Sequence, residues 1–589
     1  MPVAISGLIA AIAGTGVIGA ALQTGLAAIT MFAGTTLGGL ALSLGFSYLA
    51  SSLFRPSQPK PEDVQQQVRQ ATPVRVRHYG RVKTSGAWIF AEAKQGIFHK
   101  VLAVNQGEID AVEEYWIDDH QVVVDADGWV RTGPWGDWWD LRIQVRLGLP
   151  TETNYQSLTS TFTEWTSDHR GDGIASLYAM QDAVNDDDYL SYFPNGVNTN
   201  YRLVIRASKV KNPSTGVVAW DDNAASIIRD FMTHSDGMRL PESLFTTPLA
   251  QAGWVAAYNR AGQAIELAAG GTEPRYRLWG SYQLNERPAD VLGRMLACCD
   301  GRLVPTPDGG LTLDIGEWAE PTVILTADAI TGFSDVGRGR DVMTTANTIR
   351  ATFLDPTQDY QSTDADPWAD EDAVSERGEE AKDVQFNMAP SHSQARRLMK
   401  LEWFRANPNW VGTFNTNLMG LAAFGERFIR IHYSLFGIDS VFEVLDFKFI
   451  IGEGGILQGA TIQVQSMPST AYQWDSSQEG EAPVSSETDV DDGIPVPAAP
   501  VIAIKAGPSA ELTFSPSSSV LLNYMVRWRK TSDTEWTVYG PLANEAQSLT
   551  IPNLAAATQY EFQMALRTEK GRLGSYGPSA VETTPAVDS

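Results

Sequence analysis

A chain of 589 residues is long enough for several domains of ordinary size, and about four are expected. Lys and Arg number 44 against 70 Asp and Glu, a formal charge of -26, which excludes a surface built to grip nucleic acid through its phosphates. The two cysteines, Cys298 and Cys299, are chain neighbours that cannot readily reach disulfide geometry with each other, so a reducing folding compartment fits.

Residues 1–54 contain no Asp, Glu, Lys, Arg or His. The apolar stretch is too long, and lacks the basic start, for a secretory signal. Runs near residues 3–22 and 26–50 each approach the ~20 residues that cross a bilayer. Small residues at Gly7, Gly14, Gly19, Gly34, Gly38 and Gly45 would let helices pack closely. This is an apolar helical arm, either a membrane-interacting hairpin or an assembly arm packed inside an oligomer; composition does not separate the two. Residues 55–73 are polar with four prolines and read as a linker.

From Val74 the runs "VRVRHYGRVKTSGAWIF", "GIFHKVLAVNQGEIDAVEEYWIDDHQVVVD" and "DLRIQVRLG" alternate apolar and polar residues between Gly, Asn and Asp turns, which predicts a β-rich domain over 74–220. Its charge shifts along the chain. Residues 55–110 carry nine bases and five acids, whereas 111–200 carry four bases and sixteen acids.

An α+β domain is expected over 221–345. In "DDNAASIIRDFMTH" Asp222 is placed to cap a helix whose Ile227, Ile228, Phe231 and Met232 share one face. "NERPADVLGRMLACCDG" predicts a second helix, with Pro288 in its first turn and Gly301 just past its end. "GRLVPTPDGGLTLDI" then reads as a hairpin turning at Asp308-Gly309. A second β-rich domain is expected over 346–474, with a helix in "SHSQARRLMKLEWFRANP" that starts at a serine cap and stops near Pro408. Within it, 362–380 has eight acids and one arginine and reads as a solvated loop. Residues 475–497, with seven acids and no base, read as an interdomain linker.

Residues 498–589 have the alternation of seven short strands, the size of a small sandwich. Tyr524, Val526 and Trp528 fall on one strand face, and Leu554 followed six residues later by Tyr560 resembles the tyrosine corner of fibronectin type III domains. Trp528, Leu554 and Tyr560 are the expected core residues of this module. The overall expectation is an α+β, predominantly β, multidomain chain of β-barrel or β-sandwich domains with a few helices, an apolar helical arm and a C-terminal fibronectin type III sandwich.

Chemistry-bearing motifs are missing. No GxxxxGK[ST], HExxH, GxSxG or CxxC spacing occurs, and the histidines at 78, 99, 120, 169, 234, 392 and 432 are scattered without metal-ligand spacing. Glu113-Glu114 and Asp118-Asp119 are adjacent acids, which in a strand face opposite ways and so cannot flank one bond. "RGD" at Arg170–Asp172 sits in a polar loop and reads as chance. No catalytic, cofactor-binding or metal site is expected, and the chain is read as no enzyme.

Four segments in order carry a resemblance: "HYGRVKTSGAWIF…GIFHKVLAVNQGEIDAVEEYWIDDHQV", "DDNAASIIRDFMTHSDGMRLPESLF", "YQLNERPADVLGRMLACCDGRLVPTPDGGLTLDIG" and "SHSQARRLMKLEWFRANP". Over residues 74–470 the chain resembles the tail-tip attachment protein J family of lambda-like siphophages. The resemblance implies a homotrimeric hub that closes the distal end of the tail tube, with two related β domains per subunit giving a pseudo-sixfold ring. Implied partners are a distal tail protein, a tape-measure protein and tail fibres or receptor-binding proteins, with DNA passing through without specific binding. Residues 1–54 would plug the tube, bind the tape measure or meet the host membrane. The implied location is the virion tail tip, after folding in the host cytoplasm. Two departures stand out. Lambda-like members continue well beyond such a fibronectin-like domain, which leaves receptor binding to another protein, and the uncharged arm has no counterpart in their pattern. The alternative from a different class is a membrane-anchored cell-surface adhesin with a fibronectin-like tip.

Overall fold

The computed structural model describes residues 60–132, 135, 141–182, 192–339, 345–452, 455–483, 494–505, 508–516, 522–533, 536–543, 545–568 and 573–586. The apolar arm and its glycines lie outside them. The described residues divide into two compact units with separate apolar cores, one within Met1–Asp182 and Asn200–Val484, the other within Ala183–Thr199 and Ser485–Ser589. The chain is predominantly β, as its alternation predicts.

The larger unit begins with nine strands: β1 (Val76–Tyr79), β2 (Arg81–Thr84), β3 (Ala87–Lys94), β4 (Ile97–Gln106), β5 (Ile109–Ile117), β6 (His120–Val122), β7 (Leu141–Arg146), β8 (Ile174–Asp182) and β9 (Tyr201–Ser208). All but β1 form two four-stranded antiparallel sheets, ordered β3-β4-β8-β7 and β2-β9-β5-β6. A short helix α1 (Gln156–Thr161) sets Leu158 beside Val101, Tyr155, Phe162 and Tyr178. Gly80 turns the chain between β1 and β2 at φ +66°, and a Cβ there would lie 2.3 Å from the Trp279 ring, so both turn and packing require glycine. The linker expected over 55–73 is ordered from Lys60 onward. Pro61–Gln65 makes a 3-10 turn, and the buried Gln65 amide donates to the carbonyl of Asp359 at 2.6 Å. A buried amide with a backbone partner holds a segment that composition alone marks as flexible.

The centre contains small hairpins β10 (Val210–Lys211) with β11 (Val218–Ala219) and β12 (Ala264–Glu266) with β13 (Thr272–Pro274), and helices α2 (Ala224–Thr233) and α3 (Pro248–Ala261). Strand β14 (Gly280–Gln283) pairs antiparallel with β1, Tyr79 opposite Gly280 and Val76 opposite Gln283. Helix α4 (Pro288–Ala297) then leads into the hairpin β15 (Arg302–Pro305) and β16 (Leu311–Asp314), turning at Gly309 with φ +81°. On α2, Ile227, Ile228, Phe231 and Met232 are fully buried, each worth ~1.5–3 kcal/mol of apolar transfer. The cap differs from expectation: Asn223, not Asp222, accepts the Ala225 N–H, while Asp222 accepts Trp279 Nε1–H at 2.9 Å.

Strands β17 (Ile324–Leu325) and β18 (Ile330–Arg338) come next, then β19 (Thr348–Asp355), β20 (Gln361–Asp364), β21 (Trp368–Ala369), α5 (Glu371–Arg377), β22 (Ala381–Phe386) and α6 (His392–Ala406). The unit closes with β23 (Trp410–Thr416), β24 (Phe428–Tyr433), β25 (Ile438–Ile451) and β26 (Leu457–Ser466). A six-stranded sheet runs β17-β24-β25-β26-β23-β18 over its own core of Phe414, Ile429, Ile431, Phe442, Ile462 and neighbours. The Ser391 hydroxyl caps α6 at the Gln394 N–H, as expected.

Three expectations are corrected here. The boundary at 345 does not separate domains: β17 and β18 belong to the six-stranded sheet, while β19, β22 and α6 pack Ile349, Phe353, Phe386 and Leu398 into the central core with Ile227 and Leu292. Acidic residues 362–380 are not a solvated loop but hold β20, β21 and α5, whose Asp370 caps at the Ala373 N–H. The linker expected at 475–497 is folded as far as its described residues 475–483 go. Lys400 Nζ donates to the Gln473 carbonyl at 2.6 Å and to Gln478 Oε1 at 3.0 Å, and Glu479 accepts the Ala268 N–H.

The smaller unit is a two-sheet sandwich. Strands β27 (Val501–Lys505), β28 (Ser509–Thr513), β29 (Leu522–Lys530), β30 (Thr537–Leu542), β31 (Ser548–Ile551), β32 (Gln559–Thr568) and β33 (Ala580–Thr583) form sheets β27-β28-β31 and β30-β29-β32-β33. Tyr524, Val526 and Trp528 face its core, where Leu554 and Tyr560 are buried. Tyr560 O–H accepts the Ala555 N–H at 2.9 Å, the bond of a tyrosine corner. Ile494 is 3% exposed in this core, so the module starts before the expected residue 498.

Because the two cores share no residue, a chain cut just before Ile494 is expected to keep the far-UV and near-UV circular dichroism of the larger unit and its unfolding midpoint. A fall in midpoint of more than a few degrees would show that the division is wrong.

Candidate functional site

The concentrated side-chain chemistry of the larger unit is a buried ionic cluster where α6 meets the six-stranded sheet. Asp300 follows α4 with φ +49°, Arg405 lies in the last turn of α6, Arg427 precedes β24 and Glu443 lies in β25. All four are 10% exposed or less at the side chain. Arg405 Nη2 reaches Asp300 Oδ1 at 2.7 Å and Glu443 Oε1 at 2.8 Å. Arg427 Nη2 pairs with the other Asp300 oxygen, and its Nη1 donates to the Asp300 carbonyl at 3.0 Å. Tyr472 O–H donates to Asp300 Oδ2 at 3.1 Å. Beside them Arg302 Nε pairs with Asp314 at 2.8 Å across the β15–β16 hairpin. Three guanidiniums, of Arg302, Arg405 and Arg427, thus meet three carboxylates, of Asp300, Asp314 and Glu443.

Burial alone would push the Glu443 carboxyl up, but the charges of Arg405 and Arg427 and the Arg405 hydrogen bonds draw it down to about 2. Burial works against the charge of Arg405 and Arg427, and Asp300 and Glu443 more than offset it, raising both. Such a cluster fixes which groups face each other, since any misplacement strands a charge in a low-dielectric interior.

Two smaller buried networks act similarly. Arg77 Nη2 pairs with Asp230 at 3.1 Å, and Tyr79 O–H donates to the same Asp230 oxygen at 2.7 Å, joining β1 to α2. Arg397 Nη1 pairs with Glu273 Oε1 at 3.0 Å, joining α6 to β13. The sheet β2-β9-β5-β6 is tied to the centre by Lys83 and Arg202, which both pair with Asp359, and the six-stranded sheet is tied to it by Arg405 and Glu443.

The groups singled out by sequence have partners. His78 is buried between Ser281 Oγ at 2.6 Å and the Val104 carbonyl at 3.0 Å, and burial lowers it to about 4. His99 meets the Tyr178 hydroxyl at 2.8 Å. Cys298 and Cys299 are buried and not joined in a disulfide. Within RGD, Arg170 pairs with Asp172 at 2.8 Å, and Asp172 also accepts the Glu152 N–H. The adjacent acids depart from expectation: a bulge between Val112 and Glu114 turns Glu113 and Glu114 to the same side, where both pair with Arg81. Asp118 accepts the Asn200 N–H and Asp119 pairs with Arg202. Lys100, lowered to about 7 by burial, donates to Gln67 Oε1 and lies 4.4 Å from the Trp88 ring centroid. Among the described residues no group of three or more His, Cys, Asp or Glu could hold a metal ion, and no helix is long and apolar enough to cross a membrane.

Of the site residues expected from sequence, Trp528, Leu554 and Tyr560 come together in the sandwich core. Gly7, Gly14, Gly19, Gly34, Gly38 and Gly45 lie outside the described residues. Asp300, Arg405, Arg427 and Glu443 were missed; their separation along the chain leaves no local signal.

No protein-family model and no curated protein matches the chain. Among solved structures it is similar to a chain of the virion of a native gene transfer agent (GTA) particle, at 15% identity and a TM-score of 0.47, over 78% of this chain and 98% of that one. It is similar to a fibronectin type III domain of human collagen XX at 26% identity, TM-score 0.14, over 15% of this chain and 91% of that one. A domain of human fibronectin type III domain containing protein 3 matches at 18% identity, TM-score 0.14, over 16% of this chain and 87% of that one.

Two outcomes are expected of the buried groups. Removing one partner, in Arg405→Met, should cost about 3–5 kcal/mol in denaturant unfolding, because Asp300 and Glu443 are left buried. For pH, a depressed folded pKa means stability that is complete above the unfolded value and lost as pH falls through the folded one. His78 should therefore weaken the fold from about pH 6.5 down to about 4, by roughly 3 kcal/mol. Glu443 should add a second loss from about pH 4.5 toward about 2. Denaturation midpoints measured across pH should show both steps, with the lower one smaller in Glu443→Gln; a flat profile would contradict the assignment.

Proposed function

We propose that the protein is a structural subunit of a phage-like particle: a tail-tip hub of which three copies close the distal tail tube, anchor the tape measure and fibres, and open for DNA ejection. The observation that carries this reading is that the four segments resembling tail hub proteins fold, in family order, around one frame. That frame has, in chain order, a β part before and a β part after an α+β centre, and ion pairs of Lys83 and Arg202 with Asp359 and of Arg405 with Glu443 tie the three together. A rigid body with two β units per chain suits a threefold ring that must meet a sixfold tube, because three copies present six such units. The subunit catalyses no reaction. Its partners are a homotrimer mate, a distal tail protein, the tape-measure protein and fibre or receptor-binding proteins. DNA passes without specific binding, which the formal charge of -26 favours, since a basic lumen would hold phosphate. Residues 1–54 plug the channel before infection and meet the host membrane afterwards.

Mass measurement and imaging of the purified full chain with its tail partners should give a trimer and a threefold ring. Monomer alone at high concentration, or recovery in the membrane fraction without particles, would instead favour the adhesin reading. For the arm, triggered particles mixed with liposomes should leak dye and protect residues 1–54 from protease. An arm that stays with the particle beside intact liposomes would refute its membrane role.

A further inference from the structure

The outer face of the sheet β30-β29-β32-β33 is built differently from an ordinary solvated sheet face. Tyr524, Val526 and Trp528 point into the sandwich, so Arg527 and Arg529 of β29 point out. Arg527 Cζ lies 4.3 Å from the Trp536 ring centroid and 3.7 Å from that of Tyr576, and Arg529 Cζ lies 4.3 Å from Trp536. Across the register Arg527 faces Gln563 and Arg529 faces Glu561. Arg529 forks onto Glu561 Oε2 at 3.0 and 2.9 Å, so its charge is met. Arg527 instead donates from Nε and Nη2 to the neutral Gln563 Oε1, at 2.8 and 2.6 Å. Among the described residues no carboxylate lies within ion-pair distance of it.

Gln563 Nε2 in turn donates to Ser579 Oγ, and Ser579 donates to Glu561, so the row is cross-braced. Val538, opposite Arg527 on β30, is 52% exposed, and Val581, opposite Glu561 on β33, is 47% exposed. The face therefore carries a guanidinium held between two aromatic rings with no carboxylate within ion-pair distance among the described residues, with apolar side chains to either side; Glu561, already bonded by Arg529 and Ser579, acts on it only from farther away.

We propose that this face docks an acidic protein segment, one that sets a carboxylate on Arg527 between apolar or aromatic side chains resting on Val538, Val581 and the ladder rings. Charge complementarity selects the occupant's sign. Stacking has already fixed the guanidinium, so little side-chain entropy is lost when its remaining N–H groups take a carboxylate. The Trp, Tyr and Arg content of the face and its exposed valines select a protein partner, because those residue types supply the anchors of protein interfaces and the valines the apolar contact around them. This inference stands on the sandwich alone and does not rest on the hub reading.

The test uses the full chain and immobilised random poly(Glu,Tyr) copolymer, with polygalacturonate as the saccharide arm. The copolymer should retain the protein and polygalacturonate should not. Arg527→Gln should weaken retention about tenfold or more, the loss of one charge-assisted contact. Val538→Glu keeps Arg527 and its ring stack and sits at an exposed position; a carboxylate directly opposite Arg527 should weaken retention similarly by pairing with the guanidinium and repelling the copolymer. Absence of copolymer binding, binding indifferent to both variants, or equal binding of polygalacturonate would each overturn the proposal.

Discussion

The arrangement of the larger unit depends on Asp300. It emerges from α4 in the left-handed region, which aims its carboxylate between Arg405 of α6 and Arg427 at the edge of the six-stranded sheet. A carboxylate so deeply enclosed is tolerable only if both oxygens are met, and here they are, by two guanidiniums and the Tyr472 hydroxyl. The geometry of helix α6 against the sheet follows, because a shift of one helical turn would take Arg405 away from Asp300 and Glu443 and leave it buried without a counter-charge. Apolar contact there is modest, with Leu401, Phe428, Met467 and Ala471 forming a small cluster of their own. Hydrophobic burial supplies most of the folding free energy elsewhere, in the central core, while the ionic cluster selects one docking geometry among several that apolar contact would accept.

The same division of labour explains why stretches with the composition of linkers are ordered. Residues 60–65 and 475–483 bury little apolar surface, yet each is fastened by a few hydrogen bonds to groups already inside the body. Gln65 bonds to the Asp359 carbonyl, and Lys400 and Arg396 bond to residues 473–478. Leaving those buried donors without partners would cost more than ordering the short segments that satisfy them. The frame is thus closed at both of its described ends by polar contacts.

What could be read from the sequence was local. Helix α2 announces itself through Ile227, Ile228, Phe231 and Met232, α4 through Pro288 and Gly301, α6 through Ser391 and Pro408, and the sandwich through alternation plus Leu554 and Tyr560. Helix α3 escaped notice because its buried positions are Ala250, Ala257 and Ala261, small residues that carry almost no periodic signal, with the single large Trp254 among them. Residues 362–380 misled because composition reports solubility, whereas β20, β21 and α5 are held by pairing with β19 and by the Asp370 cap. Glu113 and Glu114 misled because strict alternation fails at a bulge. The ionic cluster was beyond reach in principle, since Asp300 lies more than a hundred positions before Arg405, Arg427 and Glu443 and the four meet only through tertiary structure.

The overall acidity of the chain also takes a different meaning once the charges are placed. Asp230, Glu273, Asp300 and Glu443 each neutralise a buried arginine, so these pairs cancel and the formal charge of -26 is carried by the other groups. Arginine is used in these places because its planar fork can bind a carboxylate on one side and a carbonyl or ring on the other. In the sandwich the same side chain is turned outward and stacked on Trp536 and Tyr576, with an amide where the body would put an acid. The substitution of Gln563 for a carboxylate at that register position is what separates a structural ion pair from a surface that still has a charge to offer.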